Sequence, residues 1–284
     1  MLKIDLHLHT TASDGSDTPA ELLALAQKKG LDVISITDHD TLAGSLEAIK
    51  MPYNGVKVIT GIEFSCHFGD DSGFDCHILG YGFDPEDRAL TNAIDHGRQM
   101  RLVKLEARLG YLRDVHGIEF GEEDISYLHS LNSVARPHLA RLLMKDGYVS
   151  GIAEAFDRYL GGDGFPDDRI DAGEAISAIL SAGGVPVYAH PIGGEREKRL
   201  TRSDLEARVD MLVPLGLKGL ECYYSRYSRE ESEMISTVAC SHGLLLSAGS
   251  DYHGGNKTVV LGCLSSDGSD VDIDPSIITV INGK

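Results

Sequence analysis

The chain has 284 residues, 12 histidines and a formal net charge of −18, with 42% hydrophobic and 25% charged residues. That length allows one large α/β barrel or two ordinary domains with a substantial core, and the acidic balance argues against a long duplex nucleic-acid footprint, which needs many lysines and arginines. No apolar run reaches membrane-span length and no basic-then-apolar leader opens the chain, so a cytoplasmic protein off the membrane is expected. Five scattered cysteines (Cys66, Cys76, Cys222, Cys240 and Cys263), with no CxxC, read as reduced and mostly core residues rather than a disulfide framework or zinc cluster.

The first strand, residues 3–9, places His7 and His9 on one face, because side chains alternate along a strand; Leu6 and Leu8 are left to face helices. Two imidazoles at that spacing can hold one divalent ion, and Asp14, in the polar loop that follows, can turn back over them. Taken alone, His-x-His is more simply a polar strand end. Thr18, Pro19 and Glu21 then mark a capped helix start, Leu22, Leu23, Leu25 and Ala26 give its apolar face, and Gly30 ends it. Residues 31–37 form a continuous apolar strand of the kind buried on both faces of a parallel sheet, running into Asp38-His39-Asp40. A short helix over 42–50, a strand from Val56 to Glu63-Phe64-Ser65 and a strand over 74–81 carrying His77 come next.

From residue 88 the pattern changes. Residues 88–115 read as one long helix on Leu90, Ile94, Leu102, Leu105, Leu109 and Leu112, and shorter helices follow near 137–145 and 151–160. About eighty residues of helix exceed a single crossover. The predicted organisation is therefore a barrel built from residues 1–87 and 169–284, with 88–168 as an inserted helical subdomain over the active site. The run Gly161-Gly162-Asp163-Gly164-Phe165-Pro166 is the expected linker back. After it, Asp171 with Glu174 and Ser203 with Glu206 predict capping boxes, and a helix runs from Ser228 to Gly243. Strands over 185–189, 217–223 and 244–248 lead to His190, carry Glu221, and lead to Asp251 and His253. Seven strands alternating with helices predict a mostly parallel sheet closed into a barrel, with a polar tail of strand or loop after Val260.

In such a barrel the strand ends share one rim, where the catalytic face lies. His7, His9, His39, Glu63, His77, His190, Glu221, Asp251 and His253 all belong to those ends. Six histidines with several carboxylates, and no thiolate among them, point to a multinuclear centre of Zn, Fe or Mn. His67, His96, His116, His129 and His242 read as surface or helix-end residues. Asp5, Asp38 and Asp40 are candidates for orienting the imidazoles from behind.

His7-x-His9 with Asp14, Thr37-Asp38-His39-Asp40, Gly61-x-Glu63, His77, Ala189-His190-Pro191 and Gly249-Ser250-Asp251-x-His253 together resemble, in order, the polymerase and histidinol phosphatase (PHP) family. The resemblance implies a distorted seven-stranded (β/α) barrel, PHP-type and TIM-like, with three divalent metal ions. One would lie on His7, His9, Glu63 and Asp251, a second on bridging Glu63, His77 and His190, and a third on Asp14, His39 and His253. Asp14 takes a place where histidine is also found in the family; its hard oxygen favours Mn, with Fe or Zn as alternatives. Glu63 is then the bridging catalytic carboxylate, and a water between two ions would be deprotonated near neutrality.

Arg136-Pro137-His138 resembles a segment that reaches over the site in the family's nucleotide-processing branch. The resemblance implies that Arg136 binds a substrate phosphate and that His138 binds substrate or donates a proton. The run Phe165-Pro166-Asp167-Asp168-Arg169 departs from that branch in lacking a tyrosine. The implied function is a metal-dependent phosphohydrolase acting on a small phosphorylated substrate, a nucleoside 3′,5′-bisphosphate or a short oligoribonucleotide. A histidinol-phosphate phosphatase, or a non-catalytic nucleotide-binding module, is the alternative.

Overall fold

β1 (Ile4–Leu8), β2 (Val33–Ile36) and β3 (Lys57–Phe68) pair side by side in parallel. Between β1 and β2 lies α1 (Pro19–Lys29), whose Thr18 and Glu21 form the expected capping box and whose C-terminus is Gly30 at φ 70°. α2 (Ala43–Lys50) fills the next crossover. The structure, a computed structural model, describes residues 2–52, 55–69, 73–162, 164–167, 169–194, 197–269, 271 and 276–278. Asp163 of the expected linker, Asp168 at the end of the expected helical insertion, and most of the tail beyond 271 lie outside the described residues.

The next strand corrects the expectation of alternating parallel units. β4 (Phe74–Tyr81) runs antiparallel to β3 and also to β6 (Val185–Tyr188). Only five residues separate Phe68 from Phe74, too few for the crossover that a parallel neighbour requires. His77 consequently pairs across from Ser65, so the N-terminal half of β4 meets the C-terminal half of β3 at one rim. β7 (Gly219–Tyr224) and β8 (Leu245–Gly249) restore parallel pairing after β6. A two-residue strand absent from the sequence reading, β5 (Ile170–Asp171), adds to the end of β3. The main path β1-β2-β3-β4-β6-β7-β8 closes nearly on itself: the His9 amide donates to the Tyr252 carbonyl at 2.9 Å, and that of Asp251 to His7 at 2.9 Å.

Ile4, Val33, Ile59, Tyr81, Val187 and Ala248, from six strands, share one buried cluster below the rim. Leu6 joins that cluster, whereas Leu8 packs with Leu22, Leu23 and Ala26 of α1; the pairing of β1 with β2 is irregular between Asp5 and Leu8. Outside, α7 (Ala172–Ser181), α8 (Arg202–Leu212) and α9 (Arg229–Ser241) cover β3, β4, β6 and β7. Two caps differ from expectation. Asp171 caps α7 alone, because Glu174 turns to His96 at 3.0 Å. Thr201 and Asp204, not Ser203 and Glu206, form the box that starts α8, and Glu206 pairs with Arg202 instead.

α3 (Arg88–His116) belongs to two cores at once. Its Leu90 and Ala93 pack against the barrel, while Leu105 and Leu112 pack with α4 (Glu122–Ser130), α5 (Arg136–Lys145) and α6 (Ile152–Ala155). α6 runs on into a wider π turn, Phe156–Leu160. α4 was not foreseen; Leu128 is its one fully buried residue, too little to leave a periodic signal. No described helix is long and apolar enough to cross a membrane. Cys66, Cys76 and Cys222 are free and buried, Cys263 is partly buried, and Cys240 is exposed.

Candidate metal centre

β1 delivers His7, and His9 follows directly beyond its end, with their Nε2 atoms 3.1 Å apart. The loop beyond is held by Asp38, which accepts from the Thr10 amide (2.7 Å), the Thr10 hydroxyl (2.7 Å) and the Ser13 hydroxyl (2.6 Å). That turn brings Asp14 Oδ1 to 3.2 Å from His253 Nε2 and 3.6 Å from His9 Nδ1. Glu63, wholly buried on β3, stands at the centre. Its Oε2 lies 3.2 Å from His7 Nε2, 3.1 Å from His9 Nε2 and 3.1 Å from His39 Nδ1; its Oε1 lies 2.8 Å from His77 Nδ1 and 3.3 Å from His190 Nε2. Asp251 Oδ1 completes the cluster at 3.5 Å from His9 Nε2 and 3.7 Å from His7 Nε2. All nine residues singled out in the sequence as ligands are thus brought together.

The donor set fits divalent ions. Among the described residues, His9 Nδ1, His39 Nδ1, Glu63 Oε2 and His253 Nε2 are buried without a hydrogen-bond partner, a costly state for a polar atom unless something else satisfies it. Bonds of about 2.0–2.2 Å to a common ion put neighbouring donors roughly 3.0–3.6 Å apart, the range of the contacts above. Three groups have ligand atoms close enough to share an ion: His9-Asp14-His39-His253, His7-His9-Glu63 and His39-Glu63-His77. They overlap more than the resemblance implied, with His9 also beside the Asp14 group and His39 beside the Glu63–His77 pair.

Electrostatics prepare the same atoms. Burial works to raise the carboxyls of Asp14, Glu63 and Asp251, but the imidazoles around them, joined at Asp251 by Lys257, outweigh it and hold all three well below the usual range. Burial pushes His9 well down and His39 to about 3. At His7, Glu63 and Glu221 overcome burial and raise the imidazole. Three non-glycine residues at the rim sit at left-handed φ, Asp40 at 51°, His190 at 29° and Asp251 at 57°, strain that the surrounding bonds must hold.

Supporting residues differ from expectation. Asp5, Asp38 and Asp40 do not orient imidazoles: Asp5 accepts from the Ser250 and Gly262 amides (both 2.8 Å), Asp38 holds the Thr10–Ser13 turn, and Asp40 pairs with Arg101 and the Ser65 amide. The imidazole partner is Glu221, whose Oε1 lies 2.9 Å from His7 Nδ1 while Oε2 accepts from the His190 amide at 2.7 Å. That bond fixes the proton on Nδ1 and leaves Nε2 free for an ion. Tyr224 and Lys257, unmarked by any motif, grip Asp251 Oδ2 at 2.9 and 2.7 Å. His67, His96, His129 and His242 each face one carboxylate near the surface, as expected of bystanders.

A cleft of about 1020 Å³ opens over the cluster, and its lining includes His39, His77, His190 and His253 together with Arg101, Lys104 and Arg136. Arg136 stacks 4.8 Å over Phe156 of the π turn. His138 is not brought to this cleft. It is buried at the start of α5, where its Nδ1 meets the Ala135 amide at 3.0 Å, and burial lowers its pKa.

A sequence model of the PHP domain matches residues 5–160. The chain is 32% identical over 255 residues to a 5′-3′ exoribonuclease of Haemophilus influenzae, covering 88% of this chain and 90% of that one. It is 30% identical over 258 residues to a 3′,5′-nucleoside bisphosphate phosphatase of Chromobacterium violaceum, covering 89% and 88%. A crystal structure of a Bifidobacterium adolescentis protein, provisionally described as a metal-dependent phosphoesterase, superposes with a TM-score of 0.80 at 29% identity over 94% of each chain.

Proposed function

Because the chain belongs to the PHP domain family and is a phosphoesterase, we propose that it hydrolyses phosphate esters of nucleotides, either nucleoside 3′,5′-bisphosphates or short oligoribonucleotides. The observation that carries this reading is that Arg136, on a helix outside the sheet, lines the same cleft as His39, His77, His190, Asp251 and His253. A substrate with one phosphate at the cluster and a second charged group beyond it spans both. We assign the ligands as three sets: His7, His9, Glu63 and Asp251; Glu63, His77 and His190; Asp14, His39 and His253. Manganese suits the hard carboxylate oxygen that Asp14 adds to this set. Bound there, the ions supply Lewis acidity, activating water and neutralising phosphate oxygens as charge shifts in the transition state.

The chain's own residues do the rest. Glu63 turns Oε2 to His7, His9 and His39 and Oε1 to His77 and His190, so it would hold ions on both groups of imidazoles. Glu221 holds the Nδ1 proton of His7. Arg136 presents a planar fork that fits a phosphate in two-pronged fashion, its stack on Phe156 limiting its rotamers. Residues 88–168 form the subdomain that carries this arginine over the rim.

The test uses metal-stripped protein reloaded with Mn, Fe or Zn and given a nucleoside 3′,5′-bisphosphate, a 5′-phosphorylated dinucleotide, histidinol phosphate and an aryl phosphate. Arg136→Ala is expected to keep its metal and lose at least ~2 kcal/mol of transition-state stabilisation on the nucleotides, about thirtyfold in kcat/KM, with a smaller loss on the aryl ester. Histidinol phosphate as the fastest substrate, untouched by Arg136→Ala, would sink the nucleotide reading.

A further inference from the structure

α3 carries two buried arginines, Arg101 and Arg108, and Arg101 is the one that bonds to segments next to the metal cluster. Its guanidinium reaches three separate segments. Nε donates to Asp40 Oδ2 at 2.7 Å, Nη2 to the Ser65 hydroxyl at 2.8 Å, and Nη1 to the Val134 carbonyl at 3.3 Å. The first two segments belong to the metal side. Asp40 follows His39 and its amide donates to the Glu63 carbonyl at 2.9 Å, while Ser65 lies two residues along β3 from Glu63. The third segment belongs to the substrate side, since Val134 stands two residues before Arg136.

From this geometry we infer that Arg101 is a positioning residue that fixes Arg136 relative to the metal cluster, an inference that rests on the phosphate-binding role given to Arg136 above. α5 begins at Arg136 with no side-chain oxygen at its cap position, Ala135, so its entry is held from within only by His138 Nδ1, which accepts from the Ala135 amide at 3.0 Å. Arg101 supplies an external anchor one residue upstream. A guanidinium suits the task because its donors lie in one plane at fixed angles; lysine has the charge but not the spread. Asp40 holds one edge of that plane, so the donor aimed at Val134 cannot swing freely. The proper distance between the ions and the second phosphate is thereby written into one side chain that needs to touch neither.

Arg101→Lys, Arg136→Ala and the double variant are compared on a nucleoside 3′,5′-bisphosphate and an aryl phosphate, with metal content by elemental analysis and amide exchange over residues 134–138. Expected are full metal content in Arg101→Lys, faster exchange over 134–138, at least a tenfold fall in kcat/KM on the bisphosphate, and less than threefold on the aryl ester. Adding Arg136→Ala to Arg101→Lys should cost little more than either change alone. Losses that multiply in the double variant, unchanged exchange over 134–138, or loss of metal would each overturn the inference. If Arg136→Ala proves unselective while Arg101→Lys still loosens 134–138, the phosphate role of Arg136 falls and the anchoring of that segment stands. Should Arg101→Lys fold poorly, Ser65→Ala with Arg101 intact removes one metal-side contact and is read by the same exchange measurement.

Discussion

Glu221 is buried, and each of its oxygens has a different task, one facing His7 Nδ1 and the other the His190 amide. Glu221→Gln keeps the shape but has one accepting oxygen, so either His7 or His190 loses its partner. Metal retention against a chelator is expected to weaken about 10- to 100-fold, the usual cost of losing a group that orients a ligand. A variant that holds its ions as tightly as the parent would reduce Glu221 to packing. Glu63→Gln is expected to do more: elemental analysis should show the loss of more than one ion, since both oxygens face imidazoles from different strands. The nine ligand candidates were legible in the sequence because histidine and carboxylate recur at strand ends in pairs and triplets. Glu221 was visible as a rim residue, but its partners stand 214 and 31 positions away, and no spacing announces them. Asp38 and Asp40 misled for a simple reason. Both flank His39 but turn away from the imidazoles, Asp38 to the Thr10–Ser13 turn and Asp40, at left-handed φ, to Arg101.

Among the elements, those with strong local chemistry were read closely: α1 with its Thr18–Glu21 box, and α9, capped by Ser228 with Glu231. Where two boxes overlap in one sequence, as at Thr201-Arg202-Ser203-Asp204-Leu205-Glu206, local pattern cannot choose; the buried face of Leu205, Val209 and Leu212 and the Arg202–Glu206 pair do. The direction of β4 was also encoded, in the short connection that precedes it. The segment before the π turn offers a test at this scale. Glu154 accepts from the Ser150 amide and hydroxyl, both at 2.8 Å, and also meets Arg158; these bonds lower its pKa to about 2. A depressed carboxyl stabilises the folded segment above its unfolded value, near 4.5, and that help is lost as pH falls through about 2. A carboxyl titration by NMR should place its midpoint near 2, and the Ser150 amide should gain exchange across that same interval. A midpoint at the ordinary glutamate value would show the bonds to be transient in solution.

On the scale of the whole molecule, the net charge is −18, and the cleft over the carboxylate cluster is lined by Arg101, Lys104, Arg108, Arg136, Arg169 and Lys257 together with Asp14, Asp75, Asp157, Asp167, Glu197 and Asp251. Such a mixed lining offers single cations to a small anion, not a continuous basic track for a polymer. A duplex of about 20 base pairs should show no retardation on a gel at about 0.1 M salt, and binding of a short single strand should fall with salt at a log–log slope no steeper than about −1.4, as for two phosphates. A slope of about −4 would reveal a long cationic path and a different substrate. The reversal of β4 has its own consequence for α3. A strand that runs downward leaves the chain at the lower edge of the barrel, so the helix that follows must climb the full height before it passes the rim. α3 has 29 residues, about 43 Å, and the stretch from Arg101 to His116 extends roughly 22 Å of that beyond the anchoring point. Such a rod behaves as a screw thread. One residue added between Arg101 and Leu105 advances everything above it by about 1.5 Å and turns it by about 100°, carrying Arg136 out of phase with the metals. One residue added near Gly161 and Gly162, on the returning chain, turns nothing. Length can therefore vary on the descending side of the helical subdomain, while on the ascending side it is locked to the pitch of a single helix.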